Sequence, residues 1–299
     1  MKPIDPAPRL DGSLLARRTL LLGAAAGFAT LACPSVLRAQ DETFRFGLTP
    51  VFLSNDLELL EKLRQYLATK LDAPVELISR RTYQEITALL VSGQLHSAWI
   101  CGYPFVQFRP ALDLVVTPIW QGKPLYQSYL IAAADRGVDD WRQLRGDIHA
   151  YSDPDSNSGY LVTQALLIDN GLAKENFFSR YFFTYGHRNV IRAVARGLAQ
   201  SGSVDGYVWE VMRRLEPELV DQTKIVRRSE WLGFPPIASP KMLASDARIS
   251  KLRAALVDMK LDVEGRVILQ MLQLDGFAVE DEKLFDDIAA KVAILRSAI

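Results

Sequence analysis

The polar segment from Tyr151 to Leu161 carries the side chains best suited to bind a ligand, because it joins a strand-like stretch to a helix-like one. Ser156, Asn157 and Ser158 lie at the predicted helix start, and all three are favoured N-cap types. The first backbone N–H groups of a helix lack intrahelical partners and lie at the positive end of its dipole. The segment therefore predicts a cradle for an oxyanion. From spacing alone, an ordinary helix cap with solvated neighbours explains the same residues.

The histidines do not form a metal-binding pattern. His96, His149 and His187 lie far apart along the chain, and the sequence has neither an H-E-x-x-H motif nor a paired C-x-x-C motif. We therefore expect no resident metal. The sequence also has no P-loop and no dinucleotide fingerprint, so we expect no cofactor.

Three residues follow an order that a hydrolase triad could use, namely Ser158, His187 and Asp205. A nucleophilic serine of that kind usually lies in a G-x-S-x-G turn, which is absent around Ser158. The sequence therefore argues against a hydrolase.

Strand-like and helix-like stretches alternate along the chain and must position these residues. The first predicted elements are a strand at 44–48, a helix at 57–71, a strand at 74–79, a helix at 83–92 and a strand at 97–100. This βαβαβ order predicts an α/β fold with parallel strands. The later predicted strands are at 113–119, 126–133, 149–152, 182–183, 206–208 and 224–228, and the later helices are at 139–143, 158–170 and 190–199, followed by a mostly helical C-terminal part.

Composition and charge exclude several classes of protein. The chain has 299 residues, of which 49% are hydrophobic, and its 35 basic residues balance its 35 acidic residues. That balance argues against an electrostatic nucleic-acid binder, and the composition is that of a packed globular protein. The length fits one large domain or two lobes.

Residues 1–39 have the pattern of an export signal. Arg17-Arg18 precede an apolar run from Leu20 to Ala32, which is too short for a convincing membrane span. The paired arginines before a mildly apolar run resemble the twin-arginine type of signal. We predict cleavage after Ala39 and a mature protein in the periplasm.

The chain has two cysteines, Cys33 and Cys101. An alternative in which Cys33 is a lipoprotein anchor is less favoured, since Thr30-Leu31-Ala32 is a poor match to the usual leucine-led motif. Cleavage after Ala39 removes Cys33, so Cys101 would be alone and could form no internal disulfide.

Four segments of the mature chain resemble, in order and spacing, the periplasmic phosphonate-, phosphate- and phosphite-binding proteins. They are Asp153-Pro154-Asp155-Ser156-Asn157-Ser158-Gly159-Tyr160-Leu161, Ala98-Trp99, Gly186-His187 followed by Ile191 to Gly197, and Val204-Asp205-Gly206. The first segment is similar to the Asp-Pro-x-Ser-Thr-Ser-Gly-Tyr-Leu signature of that family.

This resemblance implies a two-lobed type II periplasmic binding protein whose ligand lies in the cleft between lobes. Each lobe would be a mostly parallel sheet flanked by helices, with residues 41–130 plus 235–299 in lobe I and residues 131–234 in lobe II. By position, Ser156, Ser158 and His187 would hold the oxyanion. Asn157 replaces the family's threonine and can still donate a hydrogen bond through its amide.

Departures from the family pattern concern Cys101, Phe105 and Trp209. Cys101 replaces a glycine, Phe105 falls near a ligand-binding tyrosine, and Trp209 falls near a position that some members use for a substrate amine. These changes argue against an aminoalkyl phosphonate. A thiol is a weak hydrogen-bond donor to a hard phosphate, whereas a thiolate is a soft ligand. The alternative for Cys101 is a small buried hydrophobe.

The lone cysteine resembles that of the arsenite-sensing branch of the family. This resemblance implies that Cys101 binds trivalent arsenic in the cleft and that the receptor signals to a membrane sensor histidine kinase regulating arsenite oxidation. The expected cleft residues are Cys101, Ser156, Asn157, Ser158, His187, Tyr103, Tyr126 and Trp209. The alternative function is the substrate-binding protein of an ABC transporter for phosphate, phosphite, phosphonate or arsenate, with an ABC permease as the partner.

Overall fold

Two β-sheets flanked by helices form the fold, in a computed structural model that describes residues 43–49 and 57–298. The strands are β1 (Phe44–Leu48), β2 (Val75–Ser79), β3 (Ser97–Trp99), β4 (Leu112–Ile119), β5 (Leu125–Tyr126), β6 (Ser128–Ala133), β7 (Ile148–Tyr151), β8 (Arg180–Phe183), β9 (Ser201–Asp205), β10 (Thr223–Arg228), β11 (Leu232–Gly233), β12 (Ile237–Pro240) and β13 (Gly276–Ala278). The helices are α1 (Leu57–Leu71), α2 (Tyr83–Val91), α3 (Gly102–Gln107), α4 (Val162–Asp169), α5 (Lys174–Phe177), α6 (His187–Ala195), α7 (Gly206–Leu215), α8 (Pro217–Val220), α9 (Ala247–Val257), α10 (Val263–Leu272) and α11 (Asp286–Ser297). The predicted signal segment 1–39 and its Cys33 lie outside the described residues.

The first sheet has the strand order β13-β4-β12-β3-β1-β2. Strands β1, β2 and β3 are parallel, as the βαβαβ order predicts, and their register pairs Phe44 with Val75 and Phe46 with Ser97. The other strands are antiparallel to their neighbours, because β12 returns between β3 and β4 and β13 adds beside β4. The sheet is therefore mixed, with its parallel part at the end that leads into Cys101.

The second sheet has the strand order β10-β6-β9-β7-β8. Strand β7 is parallel to both β8 and β9, whereas β6 is antiparallel to β9 and β10. The carboxyl ends of β7 and β9 therefore lie at one edge, where the loop after Tyr151 and the residue Asp205 follow them. Open α/β sheets bind ligands at this kind of edge.

Two short strands connect the sheets. Strand β5 follows β4 of the first sheet and precedes β6 of the second, while β11 follows β10 and precedes β12. The two pair antiparallel, with Leu232 opposite Tyr126 and Gly233 opposite Leu125. Both crossings of the chain are thus held together by backbone hydrogen bonds.

Large apolar side chains pack between helices and sheets. The main core contains Phe44, Tyr83, Trp99 and Phe105 from the first sheet and its helices, and it continues to Val190 on α6. A smaller core, which includes Trp141, Tyr151 and Phe178, lies under the second sheet. In the part of the chain that is described, no helix has both the length and the apolar character needed to cross a membrane.

Most predicted elements are present, with one error of type and several shifts of boundary. The predicted strand at 206–208 is wrong, since these residues form the first turn of α7. Asp205 caps that helix by accepting a hydrogen bond from the Val208 N–H, and this cap outweighs the strand preference of Tyr207 and Val208. The predicted helix at 190–199 begins earlier, at His187.

Two other helices differ in form from their predictions. The predicted helix at 139–143 is a single 3₁₀ turn, Trp141–Leu144. The predicted helix at 158–170 begins with a π-helical turn, Asn157–Leu161, before it continues as α4. A π turn places one extra residue in the turn and is frequent at functional sites.

Gly202 on β9 gives a test of how tightly α6 packs on the second sheet. A Cβ at this position would lie 2.5 Å from Val190 Cγ1 and 3.2 Å from the Ala150 carbonyl oxygen. We expect Gly202→Ala to lower the free energy of unfolding by about 1–3 kcal/mol, because the helix must move away from the sheet. Gly137→Ala is the matched control, since a Cβ there meets nothing within 4 Å. Urea unfolding measures both, and equal stabilities would contradict the packing.

Candidate functional site

The loop after β7 folds into the predicted helix start. Ser156 is the N-cap residue, and its hydroxyl oxygen accepts a hydrogen bond from the Gly159 N–H at 2.9 Å. The Asp153 carboxylate accepts from the Asp155 N–H at 2.8 Å and from the Tyr83 N–H at 3.2 Å. The loop is thus bound to the start of α2 in the first sheet's half of the molecule, and all of Ser156, Asn157 and Ser158 are buried.

Gly159 is required by the close packing of this helix start. A Cβ there would lie 1.8 Å from Ser152 Oγ and 2.9 Å from His187 Cε1. The absence of a side chain lets the helix start contact both the end of β7 and the start of α6. Only a glycine fits at position 159 of the signature segment, because any side chain would collide with Ser152 and His187.

Cys101 lies between β3 and α3, and its side chain meets the helix start. The Asn157 N–H donates to Cys101 Sγ at 3.1 Å, and only 2% of the cysteine is exposed. Burial raises the pKa of the Cys101 thiol to about 12, although the N–H groups of Asn157 and Tyr103 act to lower it. Cys101 belongs to the hydrophobic core, yet its sulfur contacts a polar group. The thiol is therefore protonated at neutral pH and lies beside the predicted cradle.

Asn157 connects this helix start to Tyr126 on β5. Asn157 Nδ2 donates to the Tyr126 hydroxyl at 2.8 Å, and Tyr126 packs against Phe234 with 5.5 Å between ring centroids. Asn157 Oδ1 and Ser158 Oγ are both buried; among the described residues, Asn157 Oδ1 has no hydrogen-bond partner and Ser158 Oγ has only a contact with the Tyr126 hydroxyl that falls short of normal geometry. Burial raises the pKa of Tyr126 well above its usual value, and the nearby Asn157 and Ser158 side chains act to lower it. Two buried polar atoms at the helix start are thus not held by a hydrogen bond of normal geometry within the described residues.

His187, the first residue of α6, is fixed in one tautomer. Its Nδ1 accepts a hydrogen bond from the Asp205 N–H at 3.0 Å, so the ring proton must be on Nε2. Nε2 lies 3.2 Å from the Tyr83 hydroxyl and donates to it. Burial lowers the pKa of His187 to about 3, so the imidazole is neutral at neutral pH.

Tyr83 is a site residue that the sequence analysis missed. Its side chain is fully buried, and its hydroxyl accepts from His187, which leaves the phenolic proton to donate elsewhere. Burial raises the pKa of Tyr83 well above its usual value, with Cys101, Asp153 and Asp205 adding to the effect. A capping box between Thr82 and Glu85 indicates that a helix begins at Tyr83, but it does not indicate the contacts of Tyr83 with Asp153 and His187.

We call the following nine residues the polar cluster: Tyr83, Cys101, Tyr126, Asp153, Ser156, Asn157, Ser158, His187 and Asp205. The cluster contains two carboxyl groups and no lysine or arginine. Burial raises the pKa of Asp205 to about 7, and it also raises the pKa of Asp153. Hydroxyl, amide and backbone N–H groups are therefore the cluster's donors.

The predicted site residues Tyr103 and Trp209 are not among the nine residues of the polar cluster. Tyr103 is nearly buried beside Asp155 and Tyr160, whose proximity contributes, after burial, to a raised pKa of its phenol. Trp209 is not brought into the polar cluster, because its indole N–H donates to Thr223 Oγ1 at 3.1 Å. The bond turns its polar edge toward the start of β10. Trp209 therefore packs against residues of the second sheet, including Tyr129 and Thr223.

The hydrolase-like order of Ser158, His187 and Asp205 does not become a catalytic triad. His187 Nδ1 accepts from the backbone N–H of Asp205 and therefore cannot donate to the Asp205 carboxylate, and its other nitrogen bonds to Tyr83 rather than to Ser158. Asp205 Oδ1 instead caps α7.

Within residues 43–49 and 57–298, no group of three or more His, Cys, Asp and Glu side chains could hold a metal ion.

Comparisons with a family model and with a known protein agree on one family. The family model described as "ABC transporter, phosphonate, periplasmic substrate-binding protein" matches residues 46–285. The phosphate-import protein PhnD of Mycolicibacterium smegmatis is 25% identical over 227 residues, which cover 71% of this chain and 70% of that protein.

Two solved structures are similar in fold. A binding-protein component of a phosphonate ABC transporter from Pseudomonas aeruginosa superposes with a TM-score of 0.79 at 20% identity, covering 85% of this chain and 86% of that one. PhnD1 from Prochlorococcus marinus, solved with methylphosphonate, gives a TM-score of 0.78 at 16% identity, covering 86% of this chain and 99% of that one. These likenesses establish the α/β binding-protein fold.

The raised pKa of Asp205 predicts a specific pH dependence of stability. The folded protein binds this proton more tightly than the unfolded chain does. The carboxyl therefore lowers the free energy of unfolding as pH rises from 3.8, the ordinary pKa of an aspartate, to about 7, the pKa of Asp205 in the folded protein. Asp205→Asn removes the titration and keeps an oxygen that can cap α7. We therefore expect the variant to gain stability relative to the wild type as pH rises through this window.

Urea unfolding at several pH values measures this difference, and Asp169→Asn on the protein surface is the control. The buried histidines act in the opposite direction, because burial lowers the pKa of His149 and of His187 to about 3. Their contribution is present in both proteins and cancels in the comparison. Parallel pH profiles for Asp205→Asn and the wild type would contradict the prediction.

Proposed function

The chain belongs to the family of periplasmic substrate-binding proteins of phosphonate ABC transporters, and we propose that it binds a phosphonate- or phosphate-like oxyanion in the polar cluster and delivers it to an ABC permease. The observation that carries this proposal is the buried helix start at Asn157, where, among the described residues, Asn157 Oδ1 has no partner and Ser158 Oγ has none of normal geometry. Buried polar groups without partners are rare, and here two of them adjoin a helix N-terminus suited to an anion.

The donors of the cluster suit a tetrahedral oxyanion. Ser158 can offer its hydroxyl, and Tyr83 has a phenolic proton free because His187 donates to its oxygen. The dipole of the continuous helix from Asn157 to Asp169 adds a positive potential at the same place. Neutral donors on rigid elements can thus replace a basic side chain.

We propose that the chain forms two lobes, residues 41–130 plus 235–299 and residues 131–234, which close over the ligand. The two sheets support this division, since the strands of the first sheet all lie in the first set and those of the second sheet lie in the second set, except that β6 (Ser128–Ala133) begins before the boundary at residue 131. Polar contacts that join the sets include Cys101 with Asn157 and Tyr83 with His187. A ligand that binds both sets would favour the closed state, which is how a permease could distinguish loaded from empty protein.

The role is that of a binding protein and not of an enzyme, in the periplasm where members of the family act. We further propose that residues 1–39 are a twin-arginine-type export signal that is removed after Ala39. This part of the proposal depends on Arg17-Arg18 and the short apolar run after them.

Calorimetry with methylphosphonate, phosphate and phosphite tests the proposed function. We expect at least one of these ligands to bind, and Ser158→Ala and Tyr83→Phe each to weaken that binding by roughly 10- to 100-fold, because each removes a donor to a charged oxygen. Ser250→Ala and Tyr185→Phe, at exposed positions, are matched controls that should bind as the wild type does. No binding of any of the three ligands by the folded protein would refute the proposal.

A second candidate, arsenite binding with signalling to a sensor histidine kinase, is favoured by one observation. Cys101 Sγ lies in the cluster, 3.1 Å from the Asn157 nitrogen. The thiol could attack arsenous acid to form one As–S bond, with the thiol proton and one arsenic hydroxyl leaving as water. The family comparisons favour transport, so this candidate stays second.

Arsenite titration separates the two candidates. If arsenic binds Cys101, arsenite should raise the melting temperature of the protein, and Cys101→Ser should abolish the shift while the protein remains folded. The serine variant keeps a small polar side chain, so phosphonate or phosphate binding should persist in it. An arsenite response that survives in Cys101→Ser would exclude the thiol as the arsenic ligand.

A further inference from the structure

Asn157 offers a ligand an acceptor and no spare donor. Its backbone N–H donates to Cys101 Sγ, and its Nδ2 donates to the Tyr126 hydroxyl. Its Oδ1 has no partner in the part of the chain that the structure describes, and the residue is fully buried. An amide oxygen can only accept a hydrogen bond, so this atom can be satisfied only by a group that carries a proton.

An oxyanion with no proton would place a negative oxygen against this amide oxygen. Both atoms would be acceptors in a buried site, where an unpaired polar group is costly. The carboxyl groups of Asp153 and Asp205 lie in the same cluster and add to the cost of a second negative charge. A ligand hydroxyl would remove the conflict by donating to Asn157 Oδ1.

We infer that the site selects oxyanions that keep a proton at neutral pH, with a P–OH group of the ligand donating to Asn157 Oδ1 while Ser158 and Tyr83 donate to its other oxygens. This inference rests on the proposed function and specifies its substrate class. Monoprotonated phosphonates, phosphate and arsenate meet the requirement. Sulfate and sulfonates, which have a similar shape but no proton, do not.

Titratable groups around Asn157 make a pH profile alone insufficient as a test. Asp153, Asp205, His187 and Cys101 belong to the cluster, together with the phenols of Tyr83 and Tyr126. Deprotonation of Asp205 would weaken the binding of any anion as pH rises. A comparison of two ligands of equal shape and different protonation separates the ligand's proton from the protein's own titration.

The deciding experiment is calorimetric titration of the mature protein with methylphosphonate and with methanesulfonate, at about pH 6 and about pH 8. We expect methylphosphonate to bind and methanesulfonate to bind roughly 10- to 100-fold more weakly at about pH 6, and this preference to narrow at about pH 8, where methylphosphonate loses most of its second proton. Binding of the two ligands within about threefold of each other at about pH 6 would overturn the inference while leaving the proposed function intact. Failure of both, together with phosphate and phosphite, would overturn the proposed function and this inference with it.

Two variants test which residue produces the preference for methylphosphonate over methanesulfonate. Asn157→Ala should narrow the methylphosphonate-to-methanesulfonate preference, because it removes the acceptor that disfavours the sulfonate. Ser158→Ala is the matched control in the same helix turn, since a hydroxyl can donate to either ligand, so both ligands should weaken and the preference should remain. Circular dichroism verifies that each variant is folded. An unchanged preference in Asn157→Ala would show that another group selects the ligand.

Discussion

The hydrogen bond from the Asp205 N–H to His187 Nδ1 sets the direction of the hydrogen bonds at the centre of the polar cluster. Because Nδ1 accepts, Nε2 must carry the ring proton and donate to the Tyr83 hydroxyl. Tyr83 then has its own proton for a ligand. One backbone N–H at the end of β9 therefore makes a tyrosine on α2 a donor, and burial keeps the imidazole neutral so that this arrangement persists across the physiological pH range.

The sequence predicted the secondary structure and fold class better than the contacts within the site. Period-2 and helical apolar patterns located β1 and α1 with correct bounds, and helix-cap residues located the start of the helix before α4 to within one residue, at 158 rather than at Asn157. The strand prediction at 206–208 is wrong because Tyr207 and Val208 favour a strand locally, whereas the cap from Asp205, which starts a helix, is a contact that a propensity argument undervalues. Pattern and caps are local properties, and they are therefore visible in a single sequence.

Tyr83 and Trp209 show why the site was harder to predict. Tyr83 joins the cluster through partners that are 70 and 104 residues away, Asp153 and His187, and no local pattern indicates such contacts. Trp209 lies close to the cluster in sequence, four residues after Asp205, yet its indole N–H needs a buried partner and finds it in Thr223. The direction of a side chain on a helix depends on packing, and sequence proximity did not determine it.

Cys101 shows how burial changes the meaning of a residue type. A thiolate is a soft ligand, but burial favours the protonated thiol, so at neutral pH the sulfur accepts a hydrogen bond from the Asn157 N–H as a neutral group. That bond occupies the amide nearest to the start of the helix, while the Asn157 side chain presents an oxygen. The helix start is therefore not a uniform set of donors. Its dipole attracts a negative charge, and its amide oxygen favours a proton on the ligand. The two requirements together are the basis of the proposed preference for an acidic oxyanion that retains a hydroxyl group.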